Sequence, residues 1–312
     1  MKATPQVIAE LRPGQSIELL KELHILTREG KLNQDTRRKL KQVYHLYQFI
    51  EPLLHDVLKS NPAFTLADHG AGKSYLGFIL YDLFFNVAHS AKAGQPASGH
   101  TTGQVAGHIY GIEARGELVD KSQALAKRLG FERMSFLNLS VKDATTAASL
   151  PEQIDIVTAL HACDTATDDA IAFGLAKRAQ HMVLVPCCQA EVAGVLKRSR
   201  ALNVAKTPLA ELWRHPLHAR EFGSQITNVL RCLQLEAHGY NVTVTELVGW
   251  EHSMKNELIL ASQPAANNLA ANNPTKANTA KAQAAQQRLQ QVLDELGLGA
   301  PGRAELRSRF AG

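Results

Sequence analysis

The 312-residue sequence predicts an α/β protein preceded by a helical segment. Two patterns carry that expectation. Up to about residue 60 the apolar residues recur every three or four positions, the period of helices that bury one face. From Pro62 onward short apolar runs alternate with amphipathic stretches, the order of strands and helices in a layered sheet. Composition agrees, with 45% hydrophobic, 20% charged and 6% aromatic residues, as in an ordinary globular chain.

Ser16 is placed to cap a helix carrying Ile17, Leu20, Leu23 and Leu26, with Gly30 just past its end. A second helix is expected after "NQDT", with Leu40, Val43, Tyr44, Tyr47 and Leu54 on one face and Pro52 kinking or dividing it. Arg37, Arg38, Lys39 and Lys41 in its first turns read as a solvated face, with a nucleic-acid contact as the alternative. "FTLAD" is the first strand and "SYLGFILYDLFFNVAHSA" the helix after it, followed by a Gly/Ser/Thr-rich surface insertion near residues 90–107. "HIYGIEA", "MSFLNLS", "IDIVTALHAC" and "HMVLVPCC" are the next four strands, with helices at "GELVDKSQALAKRLG" and from "TATDDA". A long helix, "REFGSQITNVLRCLQLEAHG", leads to two further strands, "YNVTVTELV" and "NELILAS". The expected organisation is a helical segment (1–60), an α/β domain (61–262), an Ala/Asn/Lys-rich disordered linker (263–283) and a helical tail (284–312).

Four cysteines, of which Cys187 and Cys188 are adjacent, suit a reducing compartment better than a disulfide framework. The first residues lack the apolar core of a signal peptide, and the longest apolar stretch is interrupted by Asp82. A cytoplasmic protein without a membrane partner is expected. The net charge of +5 mildly favours an anionic partner.

The chemistry collects at predicted strand ends. "ADHGAGKS", residues 67–74, ends like a phosphate-binding loop, but Ala67 stands where that motif needs its first glycine. A nucleoside triphosphatase also needs an aspartate ending an apolar strand, whereas the fifth strand ends in Pro-Cys-Cys and the fourth reaches His161 before any acid. What the loop does show is Asp68, then Gly70 and Gly72 at alternate positions, which also suits a plain tight turn. Glu113 ends the second strand, where an acid can accept both hydroxyls of a ribose; a surface glutamate is the plainer alternative. It lies farther from the loop than the usual roughly 20 residues, and the insertion explains much of the excess.

Neighbouring strand ends bring His161, Cys163 and Asp164 beside Cys187, Cys188 and Gln189. Cysteines also pack well, and the set lacks the spacing of known zinc sites, so no metal is expected. Asp168 and Asp169 are placed to stabilise the first turn of their helix. Between Lys197 and Arg220 six basic residues, among them Arg198, Arg200 and Arg214, accompany a single acid, Glu211, with Trp213 for stacking. Single-stranded RNA needs such a surface, and a solvated loop is equally consistent with it.

The succession of strands and helices resembles the class I S-adenosylmethionine-dependent methyltransferase fold, a Rossmann-like sheet. "DHGAGKSYLGF", "VPCCQAE" and "HSMKNELI" are similar to methyltransferase-like domains of the GSTCD type, one of which is joined to a glutathione S-transferase-like module. The resemblance covers about residues 35–262, and the GKSYL and PCC pieces are its more specific parts. It implies a mostly parallel sheet with an antiparallel last strand. It implies S-adenosylmethionine held by Asp68, Gly70, Gly72, Lys73, Ser74 and Glu113, with Ser74 departing from a common third glycine. It also implies a catalytic face of His161, Cys163, Asp164, Cys187, Cys188 and Gln189. RNA, met by Arg198, Arg200, Trp213 and Arg214, leads as acceptor, with protein or a small molecule behind it. A non-catalytic RNA-binding protein and a phosphate-loop nucleotidase are the other readings, and no oligomeric state is indicated.

Overall fold

The structure is a computed structural model that describes residues 9–86, 106–160, 163–186, 189–198, 208–247, 257–264, 276–298 and 304–311. It divides into two units, Met1–Ser140 and Val141–Gly312.

In the first unit Ser16 caps α1 (Ile17–Glu22), its side chain accepting the Leu19 N–H at 3.1 Å. The helix stops well short of Leu26. His24 takes a positive φ of 54°, and the Leu20 carbonyl accepts the N–H groups of Ile25 and Leu26. A tight turn thus buries Ile25 and Leu26, the job the periodicity had given to a longer helix. A capping box between Asn33 and Thr36 starts α2 (Gln34–Ser60). This helix runs unbroken through Pro52, because both Pro52 and Gln48, whose carbonyl loses its donor, are exposed to water. Leu40, Val43, Tyr47, Ile50 and Leu54 form its buried face.

Strands β1 (Thr65–His69), β2 (His108–Glu113) and β3 (Met134–Asn138) pair in parallel, with Asp68 opposite Gly111 and Glu113 opposite Asn138. A side-chain carbon on Gly111 would lie 2.6 Å from the Phe136 ring, so glycine is required there. Helix α3 (Tyr75–Leu80) continues into a π-helical turn at Tyr81–Phe85, and α4 (Gly116–Leu129) closes on Gly130 at φ 70°.

The second unit holds α5 (Val141–Thr146), β4 (Ile156–Ala159), α6 (Thr165–Ala176), β5 (His181–Leu184) and α7 (Glu191–Arg198). It continues with α8 (Pro216–Ala237), β6 (Asn241–Glu246), β7 (Glu257–Ser262), α9 (Lys276–Glu295) and α10 (Ala304–Ala311). Strands β4 and β5 are parallel, while β7 runs antiparallel to both β5 and β6. The strand order is β3-β2-β1-β4-β5-β7-β6 in one seven-stranded sheet. This is the mostly parallel α/β sheet with an antiparallel last strand that was expected.

Helix α9 begins inside the stretch read as linker. Its alanines, glutamines and lysines are good helix formers, and its leucines have somewhere to go. Leu289 and Leu293 are buried with Val192 and Leu196 of α7, Leu230 of α8, and Phe310 of α10. The tail is therefore part of the second unit's core. Among the described residues no helix is long and apolar enough to cross a membrane.

Candidate active site

Strand β1 delivers Asp68 and His69, both buried, to a loop that reverses sharply. Gly70, Gly72 and Ser74, three alternate residues, all take positive φ (65°, 57° and 49°). Glycine enters that region freely, whereas Ser74 is strained in it. The loop is folded onto the end of β2. Ala71 N–H donates to the Ile112 carbonyl at 3.0 Å, Gly72 N–H to Glu113 Oε2 at 2.8 Å, and Ser74 N–H to the Ala71 carbonyl at 2.7 Å. A phosphate loop would aim such amides at its ligand, so these three argue against one. Among the described residues, a side chain on Gly72 would meet only Arg115 Nη2, at 3.8 Å, which leaves space over the loop. The Ser74 hydroxyl is fully buried without a hydrogen-bond partner among the described residues, and Lys73 is exposed.

Glu113 is the centre of this arrangement. Its Oε1 accepts the Arg115 N–H at 3.0 Å and Nε at 2.8 Å, and its Oε2 accepts Gly72 N–H and, at 3.3 Å, Arg115 Nη2. Burial raises its pKa, but these donors outweigh burial and hold it below the usual carboxylate range. It is an anion at neutral pH. Asn138 Nδ2 donates to the Glu113 and Ala114 carbonyls at 3.2 and 2.9 Å, fixing the strand exit. Burial drives the pKa of His69 down to about 4 against the opposing pull of Glu113, so its imidazole is neutral.

In the second unit β4 and β5 end side by side, with Val185 N–H donating to the Ala159 carbonyl at 2.9 Å. Asp164, after β4, has φ 51° and ψ −120°, a conformation glycine enters far more easily. It is held from two sides. Its Oδ1 accepts the N–H groups of Ala190 and Glu191 (3.1 and 3.3 Å), capping α7, and its carbonyl accepts Arg231 Nη2 at 2.7 Å. The Asp164 carboxylate, expected on the catalytic face, thus caps a helix other than its own.

Arg231, with no exposed side-chain surface, also donates to both oxygens of Asp168 (2.6 and 3.0 Å) and to Asn228 Oδ1 at 3.0 Å. Asp168, expected to serve its own helix, is the partner of this buried cation. Gln189 Nε2 donates to Asn228 Oδ1 at 3.2 Å, Ser224 Oγ donates to Gln189 Oε1 at 2.5 Å, and Asn228 Nδ2 donates to Glu257 Oε2 at 2.6 Å. The network joins the loops after β4 and β5 to α8 and the start of β7.

Cys163 is exposed, whereas burial pushes the thiol of Cys232 up to about 12. Arg214, on the basic stretch, pairs with Glu211 at 3.1 Å, and Arg220 with Glu221 at 3.1 Å. Arg198 ends α7 and Trp213 ends a 3₁₀ turn at Pro208–Trp213. His161, Cys187, Cys188 and Arg200 lie outside the described residues.

A family model described as "Methyltransferase domain" matches residues 38–195, just over half of the 312. The chain belongs to this family. No curated protein matches it. Among solved structures, the methyltransferase is similar to the magnesium protoporphyrin IX methyltransferase of Synechocystis with bound S-adenosylhomocysteine. That match has 14% identity and a TM-score of 0.40, and covers 79% of this chain and 93% of the other. An rRNA methylase of Streptococcus thermophilus matches at 11% identity and TM-score 0.37, covering 68% and 95%. A putative O-methyltransferase of Klebsiella pneumoniae matches at 12% and 0.43, covering 83% and 94%.

The family match in this methyltransferase spans the glycine loop, Glu113, Asp164 and Gln189. It stops before α8, which supplies Ser224, Asn228 and Arg231. Sequence reasoning missed those three, together with Arg115 and Glu257. One signal was available: Arg231 directly follows Leu230, on the side of α8 that also carries Thr227 and Gln234, all buried.

Proposed function

We propose that the chain is an S-adenosylmethionine-dependent methyltransferase of the GSTCD type whose acceptor is RNA. One observation supports the cofactor side above the others: the acid ending β2 is hydrogen-bonded to the glycine loop after β1. Glu113 is placed to receive ribose hydroxyls, and Gly70 and Gly72 let the backbone approach the ligand. Asp68, Lys73 and Ser74 complete the cofactor set. The space over Gly72 and the Ser74 hydroxyl without a partner, both as seen among the described residues, fit a ligand that lies across this loop. When bound, the cofactor supplies a methyl group on a sulfonium with a built-in leaving group.

On the acceptor side, His161, Cys163, Asp164, Cys187, Cys188 and Gln189 are assigned to align the nucleophile and take its proton. The double hold on Asp164 supports a rigid loop there. Arg198, Arg200, Trp213 and Arg214 are assigned to RNA because of the local excess of cations. The test is incubation with labelled S-adenosylmethionine and fractionated RNA, protein and metabolites. Label should enter RNA, with binding that weakens steeply as salt rises. Label in protein or metabolites alone would overturn RNA as acceptor. Glu113→Ala should weaken S-adenosylhomocysteine binding at least about tenfold by calorimetry, through lost charge-assisted hydrogen bonds. Full affinity in that variant would remove Glu113 from the cofactor site.

A further inference from the structure

An ionised carboxylate offers about four accepting positions on its two oxygens. At Glu113 all four are taken, two by the backbone N–H groups of Gly72 and Arg115 and two by the Arg115 guanidinium. A ribose that binds here brings two adjacent hydroxyl donors and needs two of those positions. The backbone donors cannot leave without undoing the glycine loop and the turn after β2. The guanidinium can leave. Its side chain is 64% exposed, one of its two bonds is the longest of the four, and Nη2 lies beside the open space over Gly72.

We infer that Arg115 is a displaceable surrogate for the cofactor's ribose. In the free protein its two parallel N–H groups satisfy Glu113, and on binding the two ribose hydroxyls take their places while the guanidinium swings toward solvent. The inference rests on the reading of Glu113 as ribose acceptor. It accounts for why a nearly buried anion can stand in the free protein, since an unpaired one would be costly. The exchange conserves the number of hydrogen bonds only for a ligand with both hydroxyls. A 2′-deoxy ligand replaces one donor of two and leaves Glu113 short. Glu113 therefore sets the preference for ribonucleosides, and Arg115, as its competitor, lowers affinity for all of them.

The test is calorimetry with S-adenosylhomocysteine and its 2′-deoxy analogue on wild type, Arg115→Ala and Arg115→Lys. Arg115→Ala should bind S-adenosylhomocysteine more tightly, by up to about fivefold, the worth of an exposed ion pair. Arg115→Lys should fall between, because a single ammonium cannot form the fork. Raising salt to about 0.5 M should tighten wild-type binding toward that of Arg115→Ala and leave the variant unchanged. Equal or weaker binding by Arg115→Ala would overturn the inference, making the arginine a bystander or a direct contact. If neither protein bound the ligand while both stayed folded, the cofactor reading itself would fall, and the surrogate with it.

Discussion

Asp82 lies in the π-helical turn with no exposed surface. Both of its oxygens accept the Ser16 N–H at 3.1 Å, and Asn86 Nδ2 donates to Oδ1 at 3.1 Å. Burial nevertheless pushes its pKa from 3.8 up to about 6. The folded protein thus keeps a proton that the unfolded chain has lost. The resulting stability is fully present below pH 3.8 and disappears as pH rises through about 6. Asp82→Asn keeps an acceptor for Ser16 and removes the charge. Its stability relative to wild type should therefore improve between pH 5 and pH 8 in urea melts, and parallel curves would refute this. His69 acts in the opposite direction. With a folded pKa near 4 against 6.5, its stabilisation is lost as pH falls from about 6.5 toward 4. In the sequence Asp82 is visible only as a break in an apolar run, because its partner Ser16 lies 66 positions away. Glu113 was legible as an acid ending a strand, but Arg115 was not, since a polar residue just past a strand reads as solvated.

Helix α8 shows what a periodic reading overlooks at the scale of an element. Ser224, Asn228 and Arg231 are spaced by four and three residues, on one side of the helix, and they carry the buried network. Periodicity is read from apolar residues, so a polar face turned inward looks like a solvent face. Strands β1 to β5 were legible because each is a short apolar run between turn residues, while the end of α1 depended on one left-handed residue, His24. Arg231→Met would leave the buried Asp168 without its cation, and should cost about 3–5 kcal/mol in denaturant unfolding. Adding Asp168→Leu should recover part of that loss, as coupled partners do. If Arg231→Met unfolded like wild type, the network would have no structural weight, and rigid support for Asp164 would have to be sought elsewhere.

For the whole chain, the two units draw differently on distant sequence. The first is assembled around helices and strands in chain order, whereas the second closes its core with α9 and α10. Leu293→Ala empties a fully buried position in that core and should destabilise the protein by about 2–5 kcal/mol. A melt indistinguishable from wild type would mean that the helical tail is not integral to the unit. Arg309 of α10 pairs with Glu191 of α7, 118 residues earlier, and Gln234 of α8 donates to the Arg309 carbonyl at 2.8 Å. Contacts of such span form slowly. During synthesis, every strand of the sheet has been made while the apolar sides of α7 and α8 still lack their cover. Until Phe310 clears the ribosome, that surface is open to neighbouring chains, which makes the unfinished core the aggregation-prone part of the nascent methyltransferase.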